Sequence, residues 1–294
     1  MTTTDTTTAL PSSTGRQEED AEYLFGDTGN EVGRLQRQHK WLVATLGGKV
    51  FFAPVDTDRE GMKVLDMACA DGTLLREMAT RLPPSTTFVG VDLMESFLPK
   101  AAETPSNFLY LAQDVLTPLP ADLQGAFDLA NVRLMFAGVV GREDRAVQNL
   151  VDGLAPGGWL QVTEMLVMAP AAKDEPEGVR DFKVLLQTML RGIGVAEGFP
   201  LGLEDTMTEA GLEDVRVEIV DAPIGRSVGG DRAAQMLSVG HFKLTVQALV
   251  AGCEKIGVKL PASVTDNLEE RFARDALEHG GKFQMVVLTG RKPL

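Results

Sequence analysis

The sequence predicts an α/β fold with a mainly parallel sheet that is covered on both faces by helices. Three observations support this prediction. Short apolar runs typical of strands recur along the chain from Gly61 onward. Amphipathic segments typical of helices separate most of these runs. Acidic side chains accompany the first four runs, and a parallel sheet builds its ligand site beyond the carboxyl ends of its strands.

The N-terminal part of the chain is expected to lie outside the sheet. Residues 1–20 are rich in Thr and Ser and then acidic, and this composition predicts a disordered tail. Order is expected to begin near Tyr23, and residues 21–60 are predicted to form a helical cap.

The cap is predicted to hold one long helix over residues 30–46. Thr28 and Glu31 have the spacing of a capping box at its start. The helix has an apolar stripe, and His39 falls within that stripe. Trp41 lies opposite it, which places this side chain on the surface or against another element.

Residues 61–294 are predicted to form the main domain. A helix over residues 74–82 is stopped by two prolines, and a second helix over 146–158 ends in a Pro-Gly-Gly turn. The predicted strands span residues 63–69, 87–93, 108–115, 126–136, 159–168, 214–225 and 282–293.

The segment of residues 226–281 is too long to be a plain connection between the last two strands. It is predicted to be a helical insert, with a helix over 233–252 that is apolar over most of its circumference. Such a helix is buried or faces an apolar ligand. Ser238, His241 and Thr245 form its one narrow polar stripe.

The composition limits the classes of partner. A net charge of −14 argues against nucleic acid and against anionic membranes, because both recruit clustered Lys and Arg. No apolar run approaches the length of a membrane span, and the N-terminus lacks the pattern of a signal peptide. Cys69 and Cys253 are too few for a disulfide framework or a zinc cluster. We therefore expect a cytoplasmic protein without a bound metal.

The sequence KVLDMACADGTLL, residues 63–75, has the form of a strand that runs into a cofactor loop. A dinucleotide loop needs small residues in a G-x-G-x-x-G pattern, and the last of these positions is Thr73. A spacing of small-x-small-x-Gly fits instead, with Ala68, Ala70 and Gly72. An alanine at a position that needs positive φ carries strain, and we expect this strain at Ala70.

Five motifs in order resemble those of class I S-adenosylmethionine-dependent methyltransferases. They are VLDMACADG, VGVDL, AQDVL, FDLANVRLMF and LAPGGWLQVTE. The resemblance is close over residues 61–165, loose over most of the rest, and strongest toward fungal secondary-metabolite methyltransferases. It implies a Rossmann-like seven-stranded methyltransferase sheet, mostly parallel with an antiparallel last strand, an N-terminal helical cap and a helical insert before the last strand. It also implies S-adenosylmethionine as cofactor and S-adenosylhomocysteine as product.

The resemblance implies a role for each strand-end position. Acids after successive strands would hold the amino acid part, the ribose hydroxyls and the adenine amino group of the cofactor. The Gly72 backbone is expected to pass close to the ligand. The implied cofactor residues are Asp66, Ala68, Gly72, Asp92, Leu93, Met94, Asp114, Val115, Asn131 and Arg133.

A hydroxyl acceptor needs a base, and histidine is the usual base near neutral pH. His241, on the polar stripe of the insert helix, and His39, in the cap helix, are the candidate catalytic residues. His279 is predicted to be a loop residue. His39 could equally be a core histidine.

The predicted function is methyl transfer to a hydroxyl or amine of an apolar small-molecule natural product. Aromatic and Met side chains in elements expected near the strand ends support an apolar acceptor. Two alternatives remain open: an enzyme that binds the cofactor but catalyses a cyclisation or rearrangement, as a pericyclase does, and a regulatory subunit without enzymatic activity. A homodimer is compatible with the sequence, which does not fix the oligomeric state.

Overall fold

The structure is a computed structural model that describes residues 31–294. The predicted tail, the start of order near Tyr23, the capping residue Thr28 and the first part of the predicted cap lie outside the described residues.

The described chain alternates strands and helices as the sequence predicts. The helices are α1 Glu31–Thr45, α2 Thr73–Ala79, α3 Glu143–Gly153, α4 Glu177–Gly192, α5 Leu203–Glu209, α6 Arg232–Lys255, α7 Ala262–Thr265 and α8 Leu268–His279. The strands are β1 Lys63–Met67, β2 Thr87–Asp92, β3 Phe108–Ala112, β4 Phe127–Arg133, β5 Leu154–Met165, β6 Glu213–Ile224 and β7 Gly281–Arg291.

The seven strands form one sheet in the order β3-β2-β1-β4-β5-β7-β6. Strands β1 to β5 pair in parallel, and β7 is antiparallel to both β5 and β6. This is the Rossmann-like methyltransferase sheet with an antiparallel last strand, so the predicted fold class is confirmed. The order changes direction at β1, where β1 lies between β2 and β4. A ligand is therefore expected beyond the carboxyl ends of these strands.

Strand β5 begins earlier than predicted. The sequence LAPGG was predicted to end a helix and form a turn, yet β5 starts at Leu154, directly after α3. Leu154 pairs with Phe127 of β4, and the register then shifts before Trp159 pairs with Leu129. Gly157, with φ of +79°, lies in this irregular stretch. The Pro-Gly-Gly sequence therefore forms a bulge within a longer strand and not a turn after the helix.

The segment between β6 and β7 is helical and packs back on the rest of the fold. Helix α6 contacts α1, α4 and α8. Trp41 of α1 lies against α6, with its ring centroid 4.6 Å from that of His241 and 5.0 Å from that of Phe242. Trp41 therefore takes the second of its two predicted places, against another element.

Helix α6 is long and apolar enough, by length and composition alone, to cross a membrane. Core helices of folded domains pass the same test. Val239, Phe242, Val246 and Leu249 of α6 are buried in the main hydrophobic core, and this packing accounts for the composition of the helix.

Candidate active site

A large cavity opens at the carboxyl ends of the parallel strands, with a volume of about 1080 Å³. Strands β1, β2, β4 and β5 and the loop after β3 supply one part of its wall, and α1, α4 and α6 supply the other. The polar and charged residues that line it are Arg34, Gln38, Asp92, Gln113, Asp114, Arg133, Arg142, Glu164, His241, Thr245 and Lys255.

The loop after β1 has a left-handed backbone at every second position. Ala68 has φ of +60°, Ala70 of +48° and Gly72 of +71°. The strain expected at Ala70 is therefore present, and Ala68 shares it. An L-residue with a side chain costs about 1–2 kcal/mol in this region. Ala68 and Ala70 both line the cavity, so the strained backbone forms part of its wall.

Gly72 has a packing reason for being glycine in addition to the expected contact with the cofactor. It does not line the cavity. A Cβ atom at this position would lie 2.3 Å from Oη of Tyr110 and 2.7 Å from its Cε1. The close approach of the Tyr110 ring of β3 therefore requires glycine here, and the expected contact of the Gly72 backbone with the cofactor stays a prediction.

Asp66 and Asn131 are a buried pair behind the cavity wall. Asn131 Nδ2 donates to Asp66 Oδ1 at 2.6 Å, and Gln161 Nε2 donates to Asn131 Oδ1 at 2.8 Å. Burial raises the pKa of Asp66 to about 6, against the lowering effects of the Asn131 bond and of Arg133. Neither Asp66 nor Asn131 lines the cavity. A direct role of these two residues in binding the cofactor stays a prediction.

Asp92 ends β2 and lines the cavity. Its Oδ2 accepts the N–H of Ala70 at 2.8 Å, and its Oδ1 accepts the N–H of Met94 at 2.9 Å. Burial raises its pKa, and these main-chain bonds oppose that effect. A carboxylate has about four lone-pair sites, so two bonds leave Asp92 able to accept further hydrogen bonds from a ligand. Asp92 also ties the strained Ala70 to β2.

The other cofactor residues expected after β2 and β3 divide into those that line the cavity and those that do not. Leu93, Asp114 and Val115 line the cavity, whereas Met94 does not. Asp114 Oδ1 accepts the N–H of Leu116 at 2.9 Å, which fixes the carboxylate at the start of the loop after β3. Met94 contributes its N–H to Asp92 and so shapes the loop from outside the cavity.

His39 has both of its ring nitrogens occupied. Nε2 lies 2.7 Å from Glu77 Oε2, and Arg133 Nη2 lies 3.1 Å from Nδ1. Burial lowers its pKa, and Arg133 lowers it further. A neutral ring that donates from Nε2 and accepts at Nδ1 satisfies both contacts. His39 does not line the cavity, whereas Arg133 does. The geometry favours a positioning role for His39, which holds Arg133, over its predicted role as a base.

Both ring nitrogens of His241 lack a hydrogen-bond partner within residues 31–294, although the residue is 1% exposed. It lines the cavity. Burial holds its pKa well below the ordinary value, and Arg34 acts in the same direction. Thr245, one turn later, donates from Oγ1 to the carbonyl of His241 at 2.8 Å. A buried polar group without a partner is costly in a folded protein, so this neutral ring is well placed to bind a polar ligand group.

The third member of the polar stripe on α6 has a structural contact instead. Ser238 Oγ accepts the N–H of Gly225 at 2.8 Å and donates to the carbonyl of Gln235 at 2.7 Å. It ties α6 to the end of β6 and does not line the cavity.

The wall away from the first three strands is mainly apolar. Met135 and Phe242 are among the aromatic and Met side chains that line it. Further apolar lining residues come from segments without a site signal in the sequence: Phe97, Met165, Val167, Phe182, Leu186, Leu190 and Phe199.

Glu164 is a charged residue of the cavity wall that the sequence did not predict. It lies in the stretch QVTEML near the end of β5 and is 2% exposed. Its Oε1 accepts the N–H groups of Met135 and Phe136, each at 2.8 Å. Burial raises its pKa to about 7. The signal that could have identified Glu164 in the sequence is an acidic residue within a mainly apolar strand.

Asp71 and the cysteines lie outside the chemistry of the cavity. The Asp71 carboxylate accepts from Gln36 Nε2 at 2.8 Å and from Thr73 at the start of α2, and it pairs with Arg76. Cys69 and Cys253 are buried free thiols. Within residues 31–294 no cluster of His, Cys, Asp and Glu could hold a metal ion.

The comparisons with known proteins agree on one family, the methyltransferases. A family profile described as a methyltransferase domain matches residues 64–158. The chain is 30% identical to the N-methyltransferase sirN of Leptosphaeria maculans over 286 residues, which are 93% of this chain and 96% of that protein. It is also 30% identical to the N-methyltransferase gliN of Aspergillus fumigatus over 281 residues, which are 92% of this chain and 96% of that protein.

A solved structure shows the same fold. Phosphoethanolamine N-methyltransferase 2 of Haemonchus contortus, in complex with S-adenosyl-L-methionine, superposes with a TM-score of 0.50 at 16% identity. The match covers 94% of this chain and 56% of that chain. This chain thus spans a little over half the length of the nematode protein, and the likeness is one of fold.

Proposed function

The chain belongs to the S-adenosylmethionine-dependent methyltransferases, and we propose that it transfers the methyl group to a nitrogen of an apolar natural product. One observation carries this proposal. The same cavity is lined by the strand-end residues Ala68, Asp92 and Asp114 and by the apolar side chains of Phe182 and Phe242. A methyl donor and an apolar acceptor therefore have a common cavity, as alignment of two reactants requires.

The residues of the first part of the cavity fit the cofactor. Asp92 retains lone pairs for the ribose hydroxyls, and Asp114 faces the same space beside the apolar Leu93 and Val115. Arg133, held by His39, supplies a cation for the carboxylate of the amino acid part. When bound, S-adenosylmethionine supplies an electrophilic methyl group on a sulfonium centre. The protein then has to exclude water and align the acceptor.

The relatives support nitrogen over oxygen as the acceptor atom. Both fungal proteins of 30% identity described above are named N-methyltransferases. We propose that His241 binds a polar group of the acceptor, because both of its ring nitrogens are buried at the cavity wall without a partner in the described part of the chain. No observation among the described residues favours a cyclisation or a purely regulatory role over methyl transfer.

We also propose a cytoplasmic location, which the buried, unpaired Cys69 and Cys253 support. A homodimer and the absence of nucleic-acid and membrane partners stay predictions. Light scattering in solution tests the oligomeric state.

Cofactor binding tests the proposal through Asp92. We expect Asp92→Ala to weaken the binding of S-adenosylmethionine at least tenfold, because the variant loses the ribose acceptor and frees the Ala70 loop. Isothermal titration calorimetry measures the dissociation constant. Asp122→Ala is the matched control, since it removes an exposed acid with the same change of charge. Equal affinity of the Asp92 and Asp122 variants would refute the assignment of Asp92.

A further inference from the structure

Glu164 is the buried acid in the acceptor part of the cavity. It is 2% exposed and lies opposite Val286 of the neighbouring strand β7. Phe182 and Leu186 of α4 line the same cavity. An acid in such apolar surroundings costs free energy unless hydrogen bonds, an opposite charge or its protonation offset the burial.

The carboxylate of Glu164 is held in a fixed orientation. Its Oε1 accepts from the main-chain N–H groups of Met135 and Phe136, both at 2.8 Å. These two residues follow β4 and begin the turn Phe136–Gly138. Both bonds fall on one oxygen, and a carboxylate offers about four lone-pair sites over two oxygens. Oε2 therefore retains the capacity to accept a proton.

We propose that Glu164 is the proton acceptor of the methyl transfer, and that the acceptor of the methyl group is a nitrogen that carries a hydrogen. This inference rests on the proposed function. In the step, the nitrogen lone pair forms the new N–C bond, and the sulfur keeps the electron pair of the broken C–S bond. The proton of the nitrogen passes to Oε2 of Glu164 and from there to solvent, so the neutral N-methyl product and the neutral thioether remain.

The pKa values of Glu164 and His241 favour Glu164 as the base. Burial raises the pKa of Glu164 to about 7, against the opposing effect of the main-chain N–H groups around it. The pKa of His241 lies well below its ordinary value, because the ring is buried and Arg34 is near. A general base is most effective when its pKa lies near the working pH. His241 then binds the acceptor as a neutral ring, and Glu164 takes the proton.

Other charged groups share the cavity with Glu164. Those on the neighbouring elements are Arg34 of α1, Asp92 of β2, Asp114 after β3, Arg133 of β4, Arg142 before α3, and His241 and Lys255 of α6. From α4 and β7 the neighbours are apolar, as Phe182, Leu186 and Val286 illustrate. Burial, and not a charged neighbour, is the cause of the raised pKa. If Glu164 causes a change of kcat near pH 7, that change should therefore be absent from a variant that lacks this carboxylate.

A purely structural role of Glu164 makes a different prediction. Its bonds to Met135 and Phe136 could serve only to hold the segment after β4. Glu164→Gln separates the two roles, because the amide oxygen can still accept both N–H groups while the side chain can no longer take a proton. Glu175→Gln is the control, since Glu175 is a buried acid that pairs with Lys183 and does not line the cavity.

The experiment measures methyl transfer to a panel of hydrophobic secondary amines and lactams as a function of pH. For the unaltered protein we expect kcat to rise through about pH 7. For Glu164→Gln we expect kcat to fall by roughly 10²-fold or more, without that rise. The affinity for S-adenosylmethionine should be unchanged in Glu164→Gln, and kcat should be unchanged in Glu175→Gln.

A second readout does not depend on turnover. Infrared difference spectra should show a protonated carboxyl band that titrates near pH 7 and is absent from Glu164→Gln. An unchanged rate and pH profile in Glu164→Gln would overturn the proposal and leave the proposed function intact. So would a Glu164 carboxylate that stays ionised well below pH 7. If the unaltered protein binds the cofactor but methylates no member of the panel, the proposed function fails, and the role of Glu164 fails with it.

Discussion

The loop after β1 keeps a left-handed backbone at Ala68 and Ala70, although neither residue is glycine. Ala68 and Ala70 adopt φ of +60° and +48°, a region that disfavours a Cβ atom by about 1–2 kcal/mol. The bond from the N–H of Ala70 to Asp92, at 2.8 Å, offsets part of that cost. The loop therefore retains the conformation that glycine adopts more readily.

Gly72 gives a prediction at the same scale. We expect Gly72→Ala to destabilise the fold by about 1–3 kcal/mol more than Gly61→Ala, because only at Gly72 would the new Cβ atom overlap Tyr110. The two glycines have φ of +71° and +70°, so the strain of the left-handed backbone cancels in the comparison. Urea unfolding of the two variants measures the difference. Equal losses would show that the Tyr110 ring can move aside.

The sequence predicted which acids lie at the strand ends, and the roles implied for them in cofactor binding stay predictions. Asp92 and Asp114 line the cavity as the strand ends predict. Asp66 and Asn131 are bonded behind its wall, and Gly72 is packed under Tyr110. The spacing of a motif shows which residues come together, but the direction of a side chain and its partners depend on neighbouring strands. Glu164 was missed for the same reason, since nothing in its own stretch predicts the two N–H groups that it accepts.

At the scale of elements, the packing of α1 on α6 closes one side of the cavity. Trp41 of α1 is buried against His241 and Phe242 of α6. Its Nε1 has no hydrogen-bond partner among the residues that the structure describes. The ring is therefore held by its contacts and by the removal of its apolar surface from water, with no contribution from its donor.

Substitutions of Trp41 test this account of the α1–α6 contact. We expect Trp41→Ala to lower the free energy of unfolding by about 3–5 kcal/mol, since it removes a large buried ring and leaves a cavity. Trp41→Phe should cost less than about 1.5 kcal/mol, because it keeps an aromatic ring and removes an unsatisfied donor. Urea denaturation followed by circular dichroism gives both values. A similar loss in the two variants would mean that the indole N–H has a partner that the contacts above do not include.

The boundaries of elements were predicted where local signals agreed with the tertiary structure. The first four strands begin within a residue of their predicted starts, because β-rich apolar runs there follow directly on polar turns. Strand β5 was misplaced at its start because the Pro-Gly-Gly signal of a turn also fits a bulge. The pairing of Leu154 with Phe127 decides between these alternatives, and a pairing across more than twenty residues is not visible in a local pattern.

For the whole molecule, the alternation of strands and helices predicted a mainly parallel sheet, and the antiparallel β7 was expected from the family resemblance alone. The insert between β6 and β7 brings α6 over the carboxyl ends of β1, β4 and β5, which puts His241 on the cavity wall. One cavity is then lined by the strand-end acids and by the apolar acceptor residues. This arrangement is the basis of the proposed methyl transfer.

Transfer of a labelled methyl group tests this account most directly. The protein is incubated with S-adenosylmethionine that carries a trideuteromethyl group and with the panel of hydrophobic secondary amines and lactams, and the products are measured by mass spectrometry. We predict a product that carries one trideuteromethyl group on nitrogen, formed in equal amount with S-adenosylhomocysteine and lost in Asp92→Ala. Cofactor binding without label in any acceptor, or label found on oxygen when amine and hydroxyl compete in one compound, would contradict the account.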